Sequence, residues 1–228
     1  MNLTLTSRYV GNIAVIHAAG KLVLGDAVEL LDANLKAAFQ ECPEVVVNLA
    51  EVTYVDSSGL GALVRLNTMA QARHKRLALC CLTEKVAQLL KMTNILSLFL
   101  VYSTEEAAVT ARMAHAQSAN ALESNGQRLL CVDSSNDMLA FFRSILQAKG
   151  HQVFTSNNFP DAALLLKAAR VDLVVFGPNP APCSAGSSIE TLSALAPMLP
   201  IIVVKDNADA AEMAAKVLEE IAKKAVAS

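Results

Sequence analysis

Val45-Val46-Val47-Asn48-Leu49-Ala50-Glu51-Val52-Thr53-Tyr54-Val55-Asp56-Ser57-Ser58-Gly59-Leu60-Gly61-Ala62-Leu63-Val64-Arg65-Leu66 runs from a mostly apolar stretch, through a polar corner, into a helical pattern. The run Val45–Leu49 reads as a buried strand, since its β-branched residues suit a pleat covered on both faces. Asp56 or Ser57 then caps a helix expected from about Ser58 to His74. Such a corner leaves unpaired backbone N–H groups and a partial positive charge. A hydroxyl placed there is exposed, and a phosphate on it would be stabilised by those donors. Gly59 and Gly61 carry no side chain, so the corner is expected to admit close approach by another protein. Taken alone, the tetrapeptide Asp56-Ser57-Ser58-Gly59 reads as a helix cap.

Upstream, Leu3–Arg8 and Ile13–Ala18 are two short strands joined at Gly11-Asn12, a hairpin signal. Asp26 is placed to cap a helix from Ala27 to Gln40, and Pro43 marks its end. Downstream come a buried strand Leu77–Leu82, a helix capped by Thr83, a strand Phe99–Tyr102 and a helix opening at Thr104-Glu105-Glu106. This order, β-β-α-β-α-β-α-β-α, predicts an α/β unit with a mixed sheet.

The chain has 228 residues, 54% of them hydrophobic and 18% charged, which is enough for packed cores and excludes wholesale disorder. That length suits two domains of roughly 100 residues each. The expected boundaries are 1–114, a small and polar linker 115–126, and a second domain 127–228. In the second region Arg128–Val132, Gln152–Thr155, Asp172–Phe176 and Ile201–Val204 read as strands. Helices are expected at Asn136–Lys149, Pro160–Ala169, Ser187–Leu199 and Asp209–Ala225, an alternation that implies a parallel sheet.

A formal net charge of −2 leaves no basic footprint for a nucleic acid. No apolar run approaches the roughly 20 residues of a membrane helix, and the N-terminus lacks a signal-peptide core, so neither membrane insertion nor export is expected. Cys42, Cys80, Cys81, Cys131 and Cys183 form an odd set with no C-x-x-C pair and read as reduced. The cytoplasm is the expected compartment. His17, His74, His115 and His151 are scattered, so no metal site is expected. Neither G-x-x-x-x-G-K-[ST] nor G-x-S-x-G occurs, so the chain reads as a substrate and not an enzyme, with no catalytic residue and no cofactor.

With these residues in place, the first region resembles the STAS family of anti-sigma-factor antagonists. The resemblance rests on Ala19-Gly20-Lys21-Leu22, the strand before the corner, Val52–Leu63, Leu77–Leu82, Glu84–Thr93, Asn94-Ile95 and Leu98-Phe99. It implies a STAS-type mixed sheet and a phospho-switch in which Ser57 is modified by a kinase that doubles as an anti-sigma factor. The unmodified antagonist binds that kinase, and the phosphate weakens the complex. By the same resemblance Asp56 orients the turn, Ser58 and Gly59 supply backbone donors, and Leu60 is a partner-facing apolar contact. Lys21 and Val23 stand where many relatives carry an acidic pair, Gly-Glu-Leu-Asp. This departure motivates the alternative of a non-phosphorylated scaffold subunit in a signalling or transport assembly, in which Lys21 borders the partner.

The second region resembles a receiver domain, flavodoxin-like but truncated and degenerate. Gly177 stands where the phosphate-accepting aspartate would follow the third strand, and the acidic pair is reduced to Asp133 beside Ser134. Lys205 takes either the hydroxyl position after the fourth strand or the position of the family's lysine. The resemblance implies a binding or dimerising module, hence a possible homodimer through the C-terminal domain.

Overall fold

The computed structural model describes residues 2–120, 126–179, 194, 196–204, 215 and 217–221. The chain divides into two compact units, Met1–Ala116 and Gln117–Ser228.

The first unit holds strands β1 (Thr4–Val10), β2 (Ile13–Leu22), β3 (Glu44–Val55), β4 (Arg76–Cys80) and β5 (Leu100–Tyr102). Their spatial order follows the sequence, β1 pairing antiparallel with β2 and every later pair parallel. The expected mixed sheet is therefore present. Helices α1 (Asp26–Glu41), α2 (Ser57–Ala72) and α3 (Glu84–Met92) supply Leu31, Leu35, Leu63, Leu66, Val86 and Leu90 to one core with Ile16, Val45, Val47 and Leu79 of the sheet. Val46, Ala78 and Val15 sit in register with one another, alternating with those residues, and so face the other way. Helix α4 (Glu105–Asn120) is tied to the strands by two polar anchors. Arg112 pairs with Glu44 at 3.2 Å, each about 5% exposed, while Glu105 bonds to Arg8, Asn48 and His17.

Helix α4 extends to Asn120, into the stretch 115–126 read as a linker. Ala116, Gln117 and Ala119 are good helix formers and sustain the turns without an apolar stripe. The start of α1 is a correction. Gly25, with φ 98°, occupies the cap position, and Asp26 is the first helical residue with no capping bond. Only glycine readily takes that backbone conformation, so the turn geometry selects the residue, and a side-chain cap is not used.

The second unit contains β6 (Arg128–Val132), β7 (Gln152–Ser156), β8 (Leu173–Phe176) and β9 (Ile201–Val203) in the order β7-β6-β8-β9, all parallel. Helices α5 (Asn136–Ala148) and α6 (Phe159–Ala168) connect them. Leu129, Cys131, Phe142, Leu146, Val175 and Ile202 share a core with Val217 and Ile221. Arg128 and Asp172 fasten the entries of β6 and β8: the guanidinium donates to both carboxylate oxygens, at 2.7 and 3.0 Å. Lys205, Cys183 and most residues of the two helices expected after Gly177 lie outside the described residues, although 217–221 are helical.

Candidate functional site: the corner between β3 and α2

β3 carries the chain to Val55, which is buried, and Asp56 then takes an extended conformation (φ −92°, ψ −179°) that turns the backbone into α2. Asp56 is the cap, the first of the two candidates: its Oδ1 accepts from the Gly59 N–H at 2.8 Å. Its Oδ2 is used elsewhere, accepting from the Leu24 N–H at 3.0 Å in the turn between β2 and α1. The Asp56 N–H in turn donates to the Leu22 carbonyl at 3.1 Å. One aspartate thus ties two loops together. The backbone donors Gly59 and Leu24 hold its carboxyl below the usual carboxylate range, so it is ionised at neutral pH.

Ser57 is the first residue of α2 and is exposed; Ser58, next to it, is half-buried. Among the described residues, no hydrogen bond engages the Ser57 hydroxyl. Lys21 is exposed at the end of β2, on the same side of the sheet's rim. Gly61 is exposed, and a Cβ there would meet nothing within 4 Å, so the approach to Ser57 is open along α2.

Two expected roles change. Leu60 is only 7% exposed and belongs to the first unit's core, so it presents no apolar face to a partner. Leu60, Leu63 and Asn67 recur at helical spacing on the buried side of α2, a stripe legible from the sequence. Gly59 is buried as well. A Cβ there would lie 2.4 Å from the Leu22 carbonyl oxygen, so the absence of a side chain at 59 serves close contact within the chain. The missed residue is Leu24, which is 76% exposed on the turn that Asp56 holds. Tyr54, at 54% exposure near the end of β3, is the other large apolar side chain there.

A second polar cluster lies on the sheet. Thr6, His17, Asn48, Cys80 and Tyr102 are consecutive register partners across all five strands. Glu105 accepts from Asn48 at 2.6 Å, lies 3.1 Å from His17 Nε2 and pairs with Arg8. Burial pushes the Glu105 carboxyl up, but these donors and positive charges outweigh it and hold the group low. Its acceptor sites are satisfied by the chain itself, so this cluster fastens α4.

In the second unit Asp133 is fully buried after β6. Its Oδ1 accepts from the Ser135 N–H at 2.7 Å and its Oδ2 from the Asn179 N–H at 3.0 Å. A Cβ on Gly177 would fall 2.0 Å from that Oδ2, so the carboxylate occupies the space where a side chain at 177 would begin. No cluster able to hold a metal ion occurs among the described residues, and no described helix is long and apolar enough to cross a membrane.

Comparison with known proteins finds similarity to about half of this chain. An anti-sigma F factor antagonist of Paenibacillus polymyxa is 23% identical over 112 residues, which is 48% of this chain and 95% of the relative. Among solved structures, the unphosphorylated anti-sigma factor antagonist SpoIIAA matches 48% of this chain and 96% of its own, at 23% identity and a TM-score of 0.42. An anti-sigma factor antagonist from Mycobacterium paratuberculosis matches 48% and 93%, at 18% identity and a TM-score of 0.42. Residues 5–108 match the sequence model of the STAS domain, and with its mixed sheet and flanking helices the first unit is an α/β fold of the STAS type.

Proposed function

We propose that the chain is an anti-sigma-factor antagonist that binds an anti-sigma factor with serine-kinase activity and is released from it when Ser57 is phosphorylated. The observation that carries this reading is an exposed hydroxyl on the first residue of α2, beside an ionised Asp56. Its similarity to antagonists of the same kind supports the choice of partner. A phosphate there adds about −1.5 to −2 charge. It would stand next to a carboxylate that cannot move away without giving up two backbone donors. The added negative charge at that point would weaken the electrostatic complementarity with a docked partner. Asp56 positions the corner through the Gly59 N–H that it accepts, and Lys21 stands exposed at the rim.

The chain acts as substrate, and the kinase supplies the phosphoryl chemistry. Incubation with the cognate kinase and ATP, followed by peptide mass spectrometry, is expected to place phosphate on Ser57. Ser134 provides an internal control: it follows Asp133 in the same Asp-Ser-Ser order, but its N–H is held by the Asn179 carbonyl at 3.1 Å. Phosphate on Ser134 with Ser57 unmodified would overturn the reading. Ser57→Asp is expected to weaken kinase binding at least tenfold, and Ser57→Ala to preserve it. Equal affinity for the two variants would favour the scaffold alternative.

The second unit is read as a receiver-like module that takes no phosphate. Its strand order β7-β6-β8-β9 and the absence of a carboxylate at 177 support this. Asp133, enclosed by Asn179, has its oxygens committed to the chain and is a poor ligand for Mg²⁺. A role in self-association through this unit belongs to the same proposal, and sedimentation of the full chain tests it.

A further inference from the structure

The two oxygens of Asp56 point in different directions, one to the helix it caps and one to a neighbouring turn. Oδ1 takes the Gly59 N–H inside α2, whereas Oδ2 takes the Leu24 N–H, 32 residues earlier in the chain. Leu24 is among the most exposed large apolar side chains described, at 76%, and the next residue, Gly25, has φ 98° and ψ −142°. The Gly25 carbonyl accepts from the Val28 and Glu29 N–H groups at 3.0 and 3.2 Å, which fixes the α1 side of the turn, while a Cβ on Gly25 would meet nothing within 4 Å. The Leu24 turn is thus hinged at a glycine and latched by a single carboxylate oxygen.

We propose that Asp56 relays charge from Ser57 to Leu24: an anion on Ser57 opens the Asp56–Leu24 latch and displaces the Leu24 side chain. This deepens the phospho-switch reading and rests on it for its biological trigger. The physical steps are local. An anion on Ser57 repels the adjacent carboxylate and competes with Oδ1 for the N–H groups at the start of α2. Asp56 keeps its cap only by rotating, and rotation withdraws Oδ2 from Leu24. The rest of the junction is rigid, because the Asp56 N–H stays on the Leu22 carbonyl and Gly59 stays packed on Leu22. The movable part is therefore the turn itself. The exposed leucine would sit over the corner when Ser57 is free and leave it when Ser57 is charged, removing an apolar contact along with the change of charge.

Amide hydrogen exchange of Leu24, read by NMR on the full-length chain, tests the relay without any kinase. Ser57→Asp is expected to speed Leu24 exchange about tenfold, while Ser57→Asn, equal in size but neutral, leaves it within about twofold of the wild type. Asp56→Asn is expected to speed it as Ser57→Asp does. Leu24 exchange that does not change in Ser57→Asp overturns the relay, as does an equal acceleration in Ser57→Asn, which would make the effect steric. The backbone amides of Leu63 and Leu66 report whether α2 stays folded in each variant. Because Ser57→Asp supplies the charge directly, failure here is separate from failure of the kinase to modify Ser57.

Discussion

The chain writes Asp-Ser-Ser twice at the exit of a parallel strand, at Asp56-Ser57-Ser58 and at Asp133-Ser134-Ser135, and builds opposite things from it. In the first unit the aspartate is the helix cap and the helix begins at once, at Ser57. In the second the cap is Ser135, whose hydroxyl accepts from the Met138 N–H at 3.3 Å, and the helix begins two residues later. The delay turns Asp133 inward, where it is fully buried against Gly177 and bonded to Asn179. Asp56 instead stays half-buried at the rim, and the exposed Ser57 after it is already the first residue of the helix, whereas the equally exposed Ser134 precedes its helix. The tripeptide does not decide the outcome; the glycine that faces it does. Gly59 lies inside the helix and lets α2 close on Leu22, whereas Gly177 lies across the sheet and makes room for a carboxylate.

The largest predicted effect is at the closed corner. Asp133→Ala empties a buried position and removes the acceptor of the Ser135 and Asn179 N–H groups, which sit on half-buried residues. An orphaned donor costs about 1–3 kcal/mol, so the variant is expected to destabilise the second unit by about 3 kcal/mol. Hydrogen exchange of the Leu130 and Cys131 amides measures this locally. Gly177→Ala should do similar harm, since its Cβ would fall 2.0 Å from the carboxylate. If Asp133→Ala left those amides as protected as before, the contrast between a buried and a rim aspartate would collapse.

A smaller effect is expected at the open corner. Gly59→Ala puts a Cβ 2.4 Å from the Leu22 carbonyl, a backbone atom that can shift only with the strand. Overpacking costs about 1–3 kcal/mol, and the better helix propensity of alanine returns up to about 1 kcal/mol. A net loss of about 1–2 kcal/mol in denaturant unfolding of the first unit is expected. Gly61→Ala, with open space around it, should be neutral or slightly stabilising. Equal costs at 59 and 61 would show that helix entropy, and not contact with Leu22, governs the corner.

Much of this arrangement is legible in the sequence. The apolar run Val45–Leu49, the strand alternation and the Asp-Ser-Ser-Gly corner are local signals, and Thr83 caps α3 as its position suggests, accepting from the Val86 N–H at 3.4 Å. What escapes local reading depends on residues far apart in the chain. That Leu24 points outward depends on the turn at Gly25 and on an oxygen from Asp56. That Asp133 is closed off depends on Gly177 and Asn179, more than 40 residues away. Leu60 differs, since its place on the buried stripe of α2 was available from helical spacing alone.

The smallest predicted effect at the open corner is in acid. The Asp56 carboxyl is held below its ordinary value of 3.8 by backbone donors, so the folded state binds its proton more weakly than the unfolded chain does. The sign follows: the latch to Leu24 is fully present above about 3.8 and is lost only as pH falls through the lower folded value. The Leu24 amide resonance is therefore expected to stay constant from pH 8 to about pH 5 and to move only in stronger acid. A shift of that resonance near neutral pH would mean that some other group holds the turn, and the rim aspartate would then be no more than a helix cap.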